Sequence, residues 1–269
     1  MDRYRLKNII ILILALVNLF LLGSLAKLHT AERMRHRSAV EQMSALFASD
    51  GILLEADIIP QDPPPGGKIL SRSMELERES ASLLLGGELQ LLDQGGGIYT
   101  YSGPSGSALF RSNGSFEASG HMGQKDPVGF CKAFCRKFGY GEPRFLLDEE
   151  GRGIAQATRL WDTLPVFNCT LNFTLDGESI TAVSGTLLPE EATELSLDQE
   201  PLSALAALSA FQTLRKETGA VVSSIDEISL CYELQSSTAL PLGLTPVWCI
   251  HSNTAKYYVN AITGAVRIS

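Results

Sequence analysis

Apolar and polar positions alternate along this chain with three different periods, and each period predicts a different element. Residues Asn8 to Ala26 carry no charge, and as a helix rising about 1.5 Å per residue they reach roughly 28 Å, the thickness of a bilayer's hydrocarbon core. The stretch predicts a transmembrane helix over residues 8–26 behind a short tail, residues 1–7. Residues 31–50 then predict a helix leaving the membrane, with Met34, Val40, Met43, Leu46 and Phe47 at near-helical spacing and Gly51 as its stop. Ile52 to Ile59 predicts a strand. Pro60 to Gly67, with three prolines in a row, predicts an irregular connection. Glu75 to Leu85 predicts a helix, and short strands follow around residues 89–92, 98–101, 108–111 and 116–118, punctuated by glycine turns.

The C-terminal half repeats itself. Leu164-Pro165-Val166-Phe167 recurs as Thr245-Pro246-Val247-Trp248, each behind an apolar helix, Pro127 to Gly139 and Pro201 to Gly219, and each before a hairpin. Phe167, Cys169, Leu171, Phe173 and Leu175 alternate with Asn168, Thr170, Asn172 and Thr174, the signature of a half-buried antiparallel strand. Val128, Cys131, Cys135 and Phe138 form a helical stripe able to cover its apolar face. The fold class expected is α+β: a single transmembrane helix followed by helix-on-antiparallel-sheet modules. The expected organisation is a juxtamembrane helix and N-terminal α+β domain over 27–124, a first module over 125–189, an acidic linker over 190–200 and a second module over 201–269. Phe167 and Trp248, at matched places in the repeat, are expected as core anchors.

Charge sharpens this picture. Residues 1–37 hold seven Lys/Arg against Asp2 and Glu32, a net +5, so the other 232 residues carry −13 of the total −8. An acidic body without a basic cluster excludes a nucleic-acid partner. Basic residues flank the span on both sides, and the reading adopted is tail in the cytoplasm and body outside. A cleaved signal peptide ending near Ser24-Leu25-Ala26 is the competing reading. Asn18 lies in mid-span, where its amide needs a partner: either its own helix backbone or a neighbouring membrane helix, so it is the candidate partner-binding residue.

The search for chemistry leaves little. Five cysteines are an odd number; Cys131, Cys135 and Cys169 read as small buried hydrophobes, and Cys231 and Cys249 as occupants of neighbouring strands where a disulfide is one option. The four histidines form no metal-binding spacing, and no nucleophile elbow or phosphate-binding loop occurs. The carboxylates Glu190, Glu191, Glu194, Asp198 and Glu200 lack the spacing of a calcium loop. Asn113, Asn168 and Asn172 open glycosylation sequons. No catalytic, cofactor-binding or metal-binding residue is expected, and no cofactor; a binding or regulatory module is expected rather than an enzyme.

The layout resembles the YycH/YycI family of regulatory proteins, YycI more closely by length. The resemblance rests on the tail Met1-Asp2-Arg3-Tyr4, the span with Leu19-Phe20-Leu21-Leu22 after Asn18, and the helix running to Asp50-Gly51-Ile52. The closing Tyr258-Val259-Asn260-Ala261-Ile262-Thr263-Gly264-Ala265-Val266 is similar to the last hairpin of PepSY-like domains. The resemblance implies a single-pass protein with its body outside the cell membrane. It further implies that the membrane helix contacts a sensor histidine kinase of a cell-wall two-component system, with a YycH-like protein as a further partner and no chemistry of its own. The alternative is a PepSY-like inhibitor or chaperone of an exported peptidase.

Overall fold

The computed structural model describes residues 3–195, 200–236 and 242–268, with the side chains of 3–11, 25–26 and 28–33 outside that description. The chain is mixed α+β, as expected. Helix α1 (Arg3–Ser49) is unbroken for 47 residues, so the two helices read from the sequence are one. Among the described residues no helix is long and apolar enough to cross a membrane. Of the expected span, residues 8–26, the side chains of 8–11 and 25–26 lie outside the description.

After α1 the chain turns at Gly51, whose φ of 76° suits a residue without a Cβ. The strand expected over 52–59 is only β1 (Leu53–Leu54), followed by a 3-10 turn over Ala56–Ile58. It is short because β1 lies parallel to the start of a later strand and pairs with it at two residues alone. The proline-rich stretch is irregular and leads to an unexpected strand, β2 (Lys68–Leu70). Helix α2 (Met74–Leu85) is capped by Ser73 and precedes a four-stranded meander: β3 (Gln90–Gly95), β4 (Ile98–Gly103), β5 (Gly106–Phe110) and β6 (Ser115–Met122).

Helix α3 (Pro127–Lys137) starts from Asp126, which accepts from the Gly129 N–H at 2.8 Å, with Pro127 in the first turn. Strands β7 (Arg144–Leu147), β8 (Arg152–Trp161), β9 (Leu164–Asp176) and β10 (Ile180–Thr186) follow, and β10 pairs with β6, which joins them to the meander. Helix α3 buries Cys131, Phe134 and Cys135 on this sheet in a core with Leu171, Phe173 and Leu175. Part of the stretch expected as an acidic linker is strand β11 (Ala192–Glu194), held on β2 by the Lys68–Glu194 ion pair; Asp198 lies outside the described residues.

The second half of the repeat is α4 (Ala204–Thr218), β12 (Ser224–Gln235), β13 (Leu242–Ser252), β14 (Lys256–Asn260) and β15 (Val266–Ile268). Helix α4 covers Trp248, Ile250, Tyr257 and Val259, and the end of α1 joins the same core through Val40 and Phe47. Phe47 stacks on Phe211 of α4 at 6.1 Å. Asp50 accepts from Arg215 at 2.7 Å and lies 3.3 Å from Lys216. The hydrogen bond from Lys216 leads the causes that hold its carboxyl below the usual range, so its contribution is lost as pH falls through that lowered value.

The two halves meet in β9. Its C-terminal part lies between β8 and β10; its beginning stays paired with β8 through Leu164 and Pro165 and also meets β12, pairing Val166 with Tyr232 in parallel. The ladder with β8 shifts between Thr158 and Leu160, so the alternation read from the sequence breaks. Leu171, Phe173 and Leu175 face the α3 core; Cys169 enters a separate cluster with Val166 and Tyr232, and Phe167 packs by Cys231, Val247 and Cys249. Asn168 secures the crossing. Its Nδ2 donates to the Leu234 carbonyl at 2.8 Å and its Oδ1 accepts from the Leu234 N–H at 2.7 Å, as a strand neighbour would. Both amide atoms of that sequon are thereby engaged.

Replacing Asn168 with Ala is expected to cost about 1–2 kcal/mol of stability, since a solvent-exposed clasp is partly replaced by water. Hydrogen exchange read at the Leu234 amide should quicken. Unchanged protection there would show that the single Val166 bridge suffices.

Candidate functional site

The strand pairings set three rows of side chains on the face of β12–β14 opposite α4. Glu227, His251 and Lys256 form the first, Ser229, Cys249 and Tyr258 the second, and Cys231, Val247 and Asn260 the third. Trp248 points the other way into the α4 core, where its Nε1 donates to the Leu202 carbonyl at 2.7 Å. Phe167, its match in the repeat, instead stacks on Tyr258 at 3.9 Å, so of the two only Trp248 is a core anchor.

Where the ladder of β9 with β8 shifts register and β9 also meets β12, a cleft of about 500 Å³ lies between β8 and this face. Glu142, Arg144 and Gln156 line one wall; Cys249, His251 and Tyr258 line the other. Its charges are mixed. His251 Nδ1 lies 3.8 Å from Glu227 Oε2. A larger cleft of about 710 Å³ lies between α2 and the end of α3, but its cations are engaged: Arg72 with Glu77 at 2.5 Å and Lys137 with Glu79 at 2.6 Å.

All five cysteines are free and buried, and the Cys231–Cys249 disulfide weighed from the sequence is not formed. The register explains this: Cys231 stands opposite Val247 and Cys249 opposite Ser229, a diagonal rather than a facing pair. Burial pushes the Cys131, Cys135 and Cys169 thiols up to about 12. Cys249 goes the other way. The hydrogen bond from the Cys231 thiol favours its thiolate most, with His251 and Lys256 adding to the effect, while Cys231 is raised in return. The Cys231 sulfur also lies 3.5 Å from the Val247 carbonyl.

Asn18, the one site residue expected from the sequence, is solvent-exposed on α1 and belongs to no part of this cleft. His121 meets Ser179 at 3.4 Å, and among the described residues no group of three His, Cys, Asp or Glu side chains is placed to hold a metal. The cleft itself was missed by sequence reasoning. Its signal was the spacing of Cys249 with His251 and Lys256 with Tyr258, two apart on strands and therefore on one face.

Under native conditions iodoacetamide is expected to modify Cys249 and to leave Cys131, Cys135 and Cys169 intact. Its rate should fall only a few-fold from pH 9 to pH 7, where an ordinary thiol slows by roughly twenty-fold. Peptide mass spectrometry reads both, and a twenty-fold fall at Cys249 would remove the case for a stabilised thiolate.

No protein-family model matches this chain, and no curated protein sequence does. Among solved structures, the chain is similar to an uncharacterized protein from Eubacterium rectale, at 15% identity and a TM-score of 0.45 over 76% of this chain and 81% of that one. It is similar to the C-terminal domain of Bacillus megaterium YpeB, at 11% identity and a TM-score of 0.35 over 74% of this chain and 98% of that one. It is also similar to YycH from Bacillus subtilis, at 12% identity and a TM-score of 0.35, covering 78% of this chain and 55% of the YycH chain.

Proposed function

We propose that this chain is a membrane-anchored regulatory protein whose body lies outside the cytoplasm, composed of PepSY-like modules, and that it modulates a sensor histidine kinase without catalysis of its own. The observation that carries the reading is the state of α1 between Leu12 and Leu22. Nine large apolar side chains there are exposed, among them Leu12, Leu16, Leu19 and Phe20 at 62%, 59%, 69% and 73%. At about 100° per residue they surround the helix, leaving no polar face for water. A helix apolar on every side needs an apolar solvent or a protein cover, and the body of this chain supplies no cover.

The other end of the same helix supports a regulatory role. Phe47 and Val40 are fixed in the α4 core, and Asp50 is tied to Arg215 and Lys216. A displacement of the apolar end is therefore carried into the body through an unbroken helix. Asn18, exposed among the apolar residues, is the group in this reading that meets the kinase's membrane helices.

Crosslinking in membranes followed by mass spectrometry tests the proposal. The full chain should capture a sensor histidine kinase, a chain lacking residues 1–30 should not, and Asn18→Leu should weaken capture roughly three- to tenfold, the range of a polar contact between membrane helices. Equal capture by the full and shortened chains, or capture of an exported peptidase alone, would overturn it.

A further inference from the structure

We propose that Cys249 is a modification site: its sulfur, at the wall of the cleft between β8 and β12–β14, takes up a zwitterionic low-molecular-weight disulfide of the cystine class and holds half of it as a mixed disulfide. The inference goes beyond the regulatory reading and does not depend on it.

Two features set Cys249 apart from Cys131, Cys135 and Cys169. It lines an open cleft, together with Cys231, whereas those three lie inside packed cores. It has the imidazole of His251 two residues along its own strand and the ammonium of Lys256 one row away, cationic groups of the kind that favour thiolate over thiol, with Glu227 facing His251 at 3.8 Å. Cys231 stands on the diagonal of the adjacent strand, where it favours the Cys249 thiolate.

The exchange balances without any further reactant. The Cys249 thiolate attacks one sulfur of the disulfide, a new S–S bond forms as the old one breaks, and the second half leaves as a thiolate that takes a proton from water. Cys249 is oxidised and the departing half is reduced. A volume of about 500 Å³ admits a small amino-acid thiol, and the mixed charges of the walls, Arg144 and Lys256 against Glu142 and Glu227, suit a group carrying both an ammonium and a carboxylate.

The register predicts how the reaction ends. Diagonal neighbours on antiparallel strands have Cα atoms roughly 7–8 Å apart. A relaxed disulfide needs less than about 7 Å. Cys231 therefore supports the thiolate but does not displace the bound half, and the adduct persists.

The full chain, folded and incubated with cystine at pH 7, tests this by peptide mass spectrometry without recourse to a variant. The expected result is one cysteinyl adduct, on the peptide containing Cys249, removed by a reducing agent. Cys231→Ala and Lys256→Gln should each slow its formation several-fold while the thermal midpoint stays within a few degrees. A neutral dialkyl disulfide should react more slowly than cystine. Adducts spread over Cys131, Cys135 and Cys169, no adduct at all, or a Cys231–Cys249 disulfide in place of the adduct would each overturn the proposal.

Discussion

The structure depends on a strand that serves two sheets. Strand β9 runs along β8 from end to end, with β12 beside its beginning and β10 beside its end, and one backbone pairing and the side chain of Asn168 join it to β12. A carboxamide carries a donor and an acceptor in the spacing of a peptide group, so it continues a ladder where the backbone has turned away. Side chains complete the junction: Val166 and Cys169 pack with Tyr232, and Phe167 with Cys231 and Val247, so the two sheets share a core as well as a strand.

Much of the architecture was legible because periodicity and capping are local properties. The helices expected over 75–85, 127–139 and 201–219 are found as α2, α3 and α4, the last starting three residues later behind the cap Ser203 and ending at Gly219. What was illegible depends on distant partners. The strand β2 exists because it pairs with β13, and β11 because it pairs with β2, each partner more than a hundred residues away along the chain. Phe167 and Trp248 occupy equal places in the repeat, yet one lines a cleft and the other fills a core, because β9 breaks its ladder where β13 does not. The thiol face was half legible: strand spacing puts Cys249 and His251 together, but only the pairing of β12 with β13 brings Cys231 and Glu227 to them.

Five cysteines in one chain show how far surroundings govern a side chain. Three sit among Phe and Leu, and removing a proton there would leave a charge with nothing to solvate it. The fourth and fifth stand on a diagonal of the sheet, where their mutual influence raises Cys231 and lowers Cys249. Neither composition nor spacing separates these cases, since both depend on what stands opposite in the sheet.

The continuity of α1 gives the molecule the mechanics of a shaft. At 3.6 residues per turn, each residue added or removed between Leu22 and Val40 turns the apolar end by about 100° about the helix axis relative to the body and slides it by about 1.5 Å. Angular phase, and not merely distance, is thus encoded in the length of that stretch. A partner gripping one side of the apolar end would find the thiol face at a fixed azimuth, and inserting one residue or deleting one would present it on opposite flanks.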